Sequence, residues 1–285
     1  MSLPCCPALA FLALAFAVLA FWSSPCRAIT WYVASEGDDG KSGTAPGEAL
    51  RTLSAAGAKA ERGDRILLRR GDVFRESVRI EATDLTIDAY GPEDADLPTI
   101  SGSVPIAEWE PFRDGVYVAK TDGEIGYLYL DGKLMTIARY PNEGWLRTRV
   151  WREEQPGRRR GGKTTLVCPE LKEHPRNAEG YWVGAVVRWR HHSWWYETRP
   201  VIASSADGEI TLGDRSFSKH GPNEWDRKGW GFYIDHKLEE LDAPGEWYFD
   251  AEEGKVYFYP PEGMNPDEAL VEGTVLNKGL SVRDA

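Results

Sequence analysis

Four short runs follow one another between Asp64 and Ser103: DRILLRRG, VFRESVRI, DLTIDAYG and LPTISGS. Each carries apolar or β-branched residues at alternate positions, and each is closed by glycine or a polar break. No helical period comes between them. Short strands at near-regular spacing point to an all-β chain, either a β-sandwich or a parallel β-helix in which each coil stacks its strand on the one before.

The residues on either side supply a beginning and an interruption. WYVAS from Trp31 reads as a strand, and GDDGKSGTAPG after it is too rich in Gly and Asp for regular structure. RTLSAAGAKAERGD then predicts a helix of about two to three turns over residues 53–61, with Thr52 as N-cap and Gly63 as the stop. From about 105 to 265 the pattern changes to hairpins. Asp131-Gly132 separates two β runs in LYLDGKLMTIARYP, and EWYFDAEEGKVYFYPP pairs Trp247–Asp250 with Lys255–Tyr259 across a loop ending in Gly254. An antiparallel β module is therefore expected here. The tail LVEGTVLNKGLSVRDA returns to the rhythm of residues 65–103 and stops within it.

Composition narrows the setting. Residues 8–22, ALAFLALAFAVLAFW, form an apolar run too short to span a bilayer, and a small residue, Ala28, follows. Residues 1–28 are read as an export signal, although no Lys or Arg precedes the run and Cys26 stands three before the cut. Its removal takes Cys5, Cys6 and Cys26 and leaves Cys168 alone, so no internal disulfide is possible and the fold rests on packing. Only Arg27 among the charged residues leaves with it, which makes the remainder one unit more negative than the chain's −11. Nucleic acid is an unfavourable partner for such a charge. The 12 Trp and 12 Tyr suit an uncharged or cation-bridged ligand presented to aromatic faces.

The segment WYVASEGDDGKSGT…LRTLSAAGAKAERGDRILLRRGDVFRESVRI resembles the opening of secreted right-handed parallel β-helix proteins of the pectate-lyase-like superfamily. ARYPNEGW, WRHHSWWYE and LDAPGEWYFDAEEGKVYFYPPEG look like the inserted β module of β-helix glycoside hydrolases, the class with fucosidase-like and xylanase-like members. The resemblance implies the start of a right-handed parallel β-helix with an N-terminal capping helix and an inserted antiparallel module. It divides the chain into a signal peptide (1–28), a cap and first coils (29–104), the inserted module (105–265) and a return to the β-helix that is cut short (266–285). It implies a secreted, periplasmic or cell-surface carbohydrate-active protein acting on a polysaccharide or oligosaccharide, monomeric at full length and off the membrane once the signal is cleaved. Glycoside hydrolysis is the leading activity; a polysaccharide lyase and a non-catalytic glycan binder are the alternatives. In such proteins the catalytic groups lie on later coils, so no catalytic residue is assigned and this chain alone is expected to be inactive. No cofactor is evident, and calcium enters only if the full protein is a lyase.

Four side-chain sets invite a functional reading. In VVRWRHHSWWYE, alternation along a strand puts Arg188, Arg190, His192 and Trp194 on one face, and Val187, Trp189, His191 and Trp195 on the other. The first four form a candidate sugar-binding surface, Trp194 stacking and the others donating to hydroxyls or a carboxylate. The alternative is a strand with its Trp face in the core and its Arg face in water. The adjacent histidines point apart, which argues against a shared metal. Glu246 and Asp250 in GEWYFD tempt as a glycosidase pair, but four residues along a strand put them about 13 Å apart, beyond either mechanism. Asp38 and Asp39 could hold calcium, yet the alternating acidic ligands of a calcium loop are missing and an Asx turn is the simpler reading.

GRRRGGKT, residues 157–164, matches the phosphate-loop template with Gly157, Gly162, Lys163 and Thr164 in place. Its surroundings oppose that function. The preceding RVWREEQP is charged and ends in proline, and Pro169 arrives too soon after Thr164 for the helix whose N–H groups hold phosphate. No nucleotide site is expected.

Overall fold

The structure, a computed structural model, describes residues 28–147, 150–154, 163–190, 196–213 and 231–282, the second of these by backbone alone. It is mostly β, with one α-helix among the described residues. In chain order, β1 (Thr30–Val33) precedes α1 (Leu53–Lys59), and β2 (Arg65–Arg69), β3 (Val73–Phe74), β4 (Val78–Ile80), β5 (Thr86–Tyr90) and β6 (Thr99–Ile100) follow. Next come β7 (Ser103–Pro105), β8 (Glu110–Arg113), β9 (Val116–Lys120), β10 (Leu128–Leu130), β11 (Lys133–Leu134) and β12 (Thr136–Ile137). A third group holds β13 (Arg139–Tyr140), β14 (Leu146–Arg147), β15 (Val150–Glu154), β16 (Lys163–Val167), β17 (Val186–Arg190), β18 (Tyr196–Ser204), β19 (Glu209–Leu212) and β20 (Gly231–Asp235). The chain closes with β21 (Glu246–Asp250), β22 (Lys255–Tyr259), β23 (Val271–Thr274) and β24 (Leu280–Val282).

The helix begins where side chains offer acceptors to its free N–H groups. Thr52 Oγ1 accepts from Ala55 N–H at 3.0 Å, while Glu76 accepts from Leu53 and Ser54 N–H at 2.7 and 3.0 Å. Leu53 and Ala56 then pack on Trp31, Val33, Ile66, Phe74 and Ile80. Buried Asp64 ties the segment together, accepting from Ile29 N–H at 2.7 Å, Trp31 Nε1 at 2.9 Å and Glu61 N–H at 2.9 Å. Burial alone would raise the Asp64 pKa, but these three donors hold it below the usual carboxylate value.

The pairing of the short strands is parallel. β1 runs beside β2 and β2 beside β5, with Ile66 opposite Ile87. β3 runs beside β6, and β4 runs beside β24, with Val78 opposite Leu280. Successive strands of one stretch, β2, β3 and β4, thus meet β5, β6 and β24 in the same order. Everything between β6 and β24 is interposed.

The interposed residues form two further large cores and a smaller cluster of Val116, Ala138, Leu241 and Tyr257. A four-stranded sheet (β11-β10-β23-β7) and a five-stranded sheet (β12-β21-β22-β9-β8) enclose Trp109, Leu128, Trp247, Val256 and Phe258. Both expected hairpins are present. Asp131 and Gly132 link β10 to β11 with φ of 48° and 73°, the left-handed pair of a type I′ turn, where glycine is at home and aspartate tolerated. Asp250 pairs with Lys255, and its Oδ1 accepts from Glu252 and Glu253 N–H to close the loop. The third core belongs to an eight-stranded sheet, β13-β20-β17-β18-β19-β16-β15 with β14 beside β20, and contains Trp182, Val187, Trp189, Ile210, Phe232 and Ile234.

Candidate functional site

In β17 the VVRWR stretch alternates as its composition requires, Val187 and Trp189 buried and Arg188 and Arg190 half-buried on the opposite face. The antiparallel register builds that face outward. Arg188 stands between Tyr233 of β20 and Thr198 of β18, Arg190 is opposite Tyr196, and Arg139 of β13 is opposite Asp235. Trp145, just ahead of β14, lies over the backbone of Gly231, where an added Cβ would fall 2.3 Å from the Trp145 Cβ. Only glycine at 231 leaves room for the indole. The ring centres of Trp145 and Tyr233 are 5.2 Å apart, and those of Trp145 and Tyr196 are 5.9 Å apart. Trp145 is 36% exposed and Tyr196 52%.

The charges on this face are held by neighbours. Arg188 Nε donates to buried Asp235 Oδ2 at 2.7 Å, and its Nη1 reaches Thr198 Oγ1 at 3.3 Å. Arg139 donates to the carbonyls of Pro141 at 2.9 Å and Gly144 at 2.6 Å, and its guanidinium lies 3.9 Å from the Tyr233 ring centre. The Arg190 guanidinium is 5.7 Å from the Tyr196 ring. Burial, and then the Asp235 carboxylate, push the Tyr233 phenol above its usual pKa, so it stays a hydrogen-bond donor at neutral pH. Of the four residues expected to form a sugar surface, Arg188 and Arg190 share this face; His192 and Trp194 lie outside the described residues. Sequence reasoning missed Arg139, Trp145, Tyr196 and Tyr233, although the first two sit inside the ARYPNEGW segment.

An open cleft of about 910 Å³ offers a second candidate, lined by Leu130, Met135, Thr136, Asn142, Glu143 and Glu246 among others. Glu246 is 3% exposed, and its Oε2 accepts from Asp242 N–H at 3.4 Å and Ala243 N–H at 3.2 Å. Burial outweighs these bonds and pushes the carboxyl up to about 7. Asp250 is occupied in its hairpin loop. The carboxyls that share the cleft with Glu246 are those of Asp131 and Glu143.

A polar network centred on buried Glu240 and His174 runs out to exposed Arg176 and Asp242, and no sequence spacing announced it. Glu240, 1% exposed, meets His174 Nε2 at 3.1 Å and Arg176 Nη2 at 3.3 Å, and accepts from the Tyr181 hydroxyl. Arg176 also reaches Tyr181 Oη at 3.0 Å and Asp242 at 3.3 Å, and Asn142 Nδ2 donates to Asp242 at 2.9 Å. Burial and the Glu240 carboxylate hold the Tyr181 phenol far above its usual pKa. His174, Arg176 and Tyr181 flank the third core, while Glu240 and Asp242 lie on the link from β20 to β21. The network therefore joins two sheets.

The remaining motifs have structural employment. Lys163 and Thr164 belong to β16; Thr164 is fully buried, paired with Leu212, and its Oγ1 accepts from Arg199 Nη1 at 3.0 Å. The strand runs on to a 3₁₀ turn at Pro169–Glu173, so no phosphate-holding helix follows, while Gly157 and Gly162 lie outside the described residues. Asp38 accepts from Gly40 N–H at 2.9 Å in an Asx turn, and Asp39 from Arg51 and Thr52 N–H at 2.8 and 2.9 Å. Cys168 is buried, its thiol pushed up to about 11 by desolvation.

No protein-family model matches the sequence, and no curated protein matches it. Among solved structures, one described as a glycoside hydrolase superposes with a TM-score of 0.67 at 16% identity, over 90% of this chain and 48% of that one. The complex structure of XylC with xylose aligns with a TM-score of 0.44 at 15% identity, over 88% of this chain and 32% of that one. The chain thus spans about half the length of the first structure and about a third of the second. The fold of this mostly β chain is similar to that of a glycoside hydrolase.

Proposed function

We propose that the chain is the N-terminal part of an exported carbohydrate-active protein whose short parallel strands are the first coils of a right-handed β-helix, and whose outer β17–β18–β20 face binds sugar. The ordered meeting of β2, β3 and β4 with β5, β6 and β24 supports the coil reading, because a strand that returns parallel beside its predecessor after a crossover does so right-handedly in nearly all folds. On that reading β1–β6 and β24 belong to the helix and the residues between β6 and β24 to an insertion, which is wider than 105–265 because β7 and β23 pair within it. The observation that carries sugar binding is the grouping of Trp145, Tyr196 and Tyr233 with Arg139, Arg188 and Arg190 on one open sheet face. Flat rings take the apolar side of a pyranose, and guanidinium groups donate to its oxygens. His192 and Trp194 are proposed to extend the same face.

Cleavage of glycosidic bonds is proposed for the whole protein, since this chain corresponds to about half of the glycoside hydrolase it resembles in fold. A lyase, with which calcium would enter, and a glycan-binding surface protein are the competing readings. Nucleic acid is not proposed as a partner, and the full-length protein is taken as a monomer. Export predicts a product outside the cytoplasm that begins near Ile29; recovery there with Met1 retained would contradict it.

The binding reading is tested by Trp fluorescence. The purified chain is expected to bind plant oligosaccharides, to lose that binding in Trp145→Ala with its circular dichroism unchanged, and to release neither reducing ends nor unsaturated products from a polysaccharide panel. Cleavage abolished by Glu246→Gln would move the chemistry to the cleft and overturn the assignment.

A further inference from the structure

We infer that the open cleft beside β11 and β12 binds an extended peptide segment rich in basic side chains, taken as an added strand along the Lys133–Thr136 edge; the site is separate from the sugar face. The backbone offers the edge. β11 is an outer strand of the four-stranded sheet and β12 an outer strand of the five-stranded one, and the chain passes from one to the other along the wall of the cleft. In the β10–β11 hairpin Lys133 is opposite Leu130 across the two-residue turn, and Met135 N–H donates to the Leu128 carbonyl at 2.8 Å. Leu134, between them and opposite Tyr129, therefore turns its own N–H and C=O to the outer side. It is 56% exposed. An outer strand of this kind is a template for one more strand.

The lining decides which kind of strand fits. Leu130, Met135 and Met264 supply an apolar wall, and Met135 and Met264 are the chain's two methionines after Met1. Their unbranched side chains adapt to aliphatic surfaces of varied shape. Among the described residues no Trp, Tyr or Phe lines the cleft, in a chain with 12, 12 and 9 of them, so the flat platform on which a sugar ring stacks is missing here. The charged lining is mainly acidic. Asp131, Glu143 and buried Glu246 stand against Lys133. Asp131 Oδ1 accepts from Leu270 N–H at 3.0 Å, a neutral donor that leaves the carboxylate charge in place, and Glu143 is exposed. A strand of alternating lysine and aliphatic residues answers all three features at once: backbone groups for the edge, an apolar face for the methionines and ammonium groups for the carboxylates.

The test titrates the full chain into a fluorescent hexapeptide of alternating lysine and valine with blocked ends, followed by anisotropy. The peptide is expected to bind about tenfold or more tightly than its glutamate–valine counterpart, with an affinity that falls as salt is added. A lysine–valine peptide N-methylated throughout keeps the charge but has no backbone donors, and it is expected to bind about fivefold or more weakly than the parent. Glu143→Gln is expected to weaken the parent peptide about threefold, and Glu143→Lys to weaken it further, both with unchanged circular dichroism because the side chain is exposed. Plant oligosaccharides that saturate the Trp fluorescence change are expected to leave the peptide bound, so the two sites are read separately. Equal affinity for the parent and N-methylated peptides, with spermidine displacing both, would reduce the cleft to a patch of negative charge and overturn the inference. Displacement by the oligosaccharides, indifference to both Glu143 variants, or no binding of the lysine–valine peptide would overturn it as well.

Discussion

Replacing Glu240 with alanine is expected to remove about 2–4 kcal/mol of folding stability, because it leaves the donors of His174 and Tyr181 without their shared acceptor. The carboxylate is 1% exposed and serves His174, Arg176 and Tyr181 together. Without it buried His174 and the Tyr181 hydroxyl lose their acceptor, whereas the Arg176 guanidinium, 42% exposed, keeps Asp242 and water. Tyr181→Phe removes only one donor, so its cost is expected to be about 1–2 kcal/mol. The two effects should not add in the double variant, since the phenol's bond is already lost when Glu240 is gone. Chemical denaturation of the four proteins measures this. Because the network spans the third core and the link to β21, a separate early unfolding step for the eight-stranded sheet is expected to appear in Glu240→Ala. A loss below about 1 kcal/mol would mean that the network is a surface arrangement of little energetic consequence.

The second large effect depends on pH. Burial raises the Glu246 carboxyl from 4.5 to about 7, so its ionisation works against the folded state. A group whose folded pKa is raised contributes stability that is fully present below the unfolded value and is lost as pH rises through the folded one. The wild-type chain is therefore expected to lose about 2–3 kcal/mol from this group between pH 4.5 and pH 8, at roughly 1.4 kcal/mol for each unit of displacement. Glu246→Gln keeps an acceptor for Asp242 and Ala243 N–H but cannot ionise, so its stability should be flatter across that range and should exceed that of the wild type at pH 8. Other groups titrate in the same interval, and the difference between the two proteins removes them. Parallel stability curves would show that the Glu246 carboxyl is solvated from the cleft.

Local signals carried part of this structure and could not carry the rest. The Asp131-Gly132 turn and the helix at Leu53–Lys59 were legible because each is decided within a few residues: one by two left-handed positions, the other by Thr52 and an alanine-rich body. Alternation in VVRWR separated Arg188 and Arg190 from Val187 and Trp189 correctly, since Val and Trp must be buried if Arg is not. What alternation cannot say is which strands stand beside β17. Tyr233 reaches Arg188, and Arg139 reaches Tyr233, only through the order β13-β20-β17-β18, which is set by long-range pairing. The hairpin pattern of the middle region gave one antiparallel module; its division into two cores depends on contacts such as the parallel pairing of β12 with β21, which no local period records. Glu246 illustrates the same limit. Its spacing from Asp250 suggested a pair, whereas its chemistry comes from burial against the 242–243 turn.

The claim on which the account turns is that the outer face of β17, β18 and β20 receives the sugar. Nitrogen-labelled protein titrated with the plant oligosaccharides of the binding test and followed by two-dimensional NMR addresses it directly. The account predicts progressive shifts of the Trp145 indole and the Arg139 and Arg188 Nε–H signals, with the buried Trp109 and Trp247 indoles of the second core unmoved. Shifts confined to the amides of Thr136, Gly245 and Glu246 would place the ligand in the cleft instead, and would contradict the assignment of the arginine-bearing face.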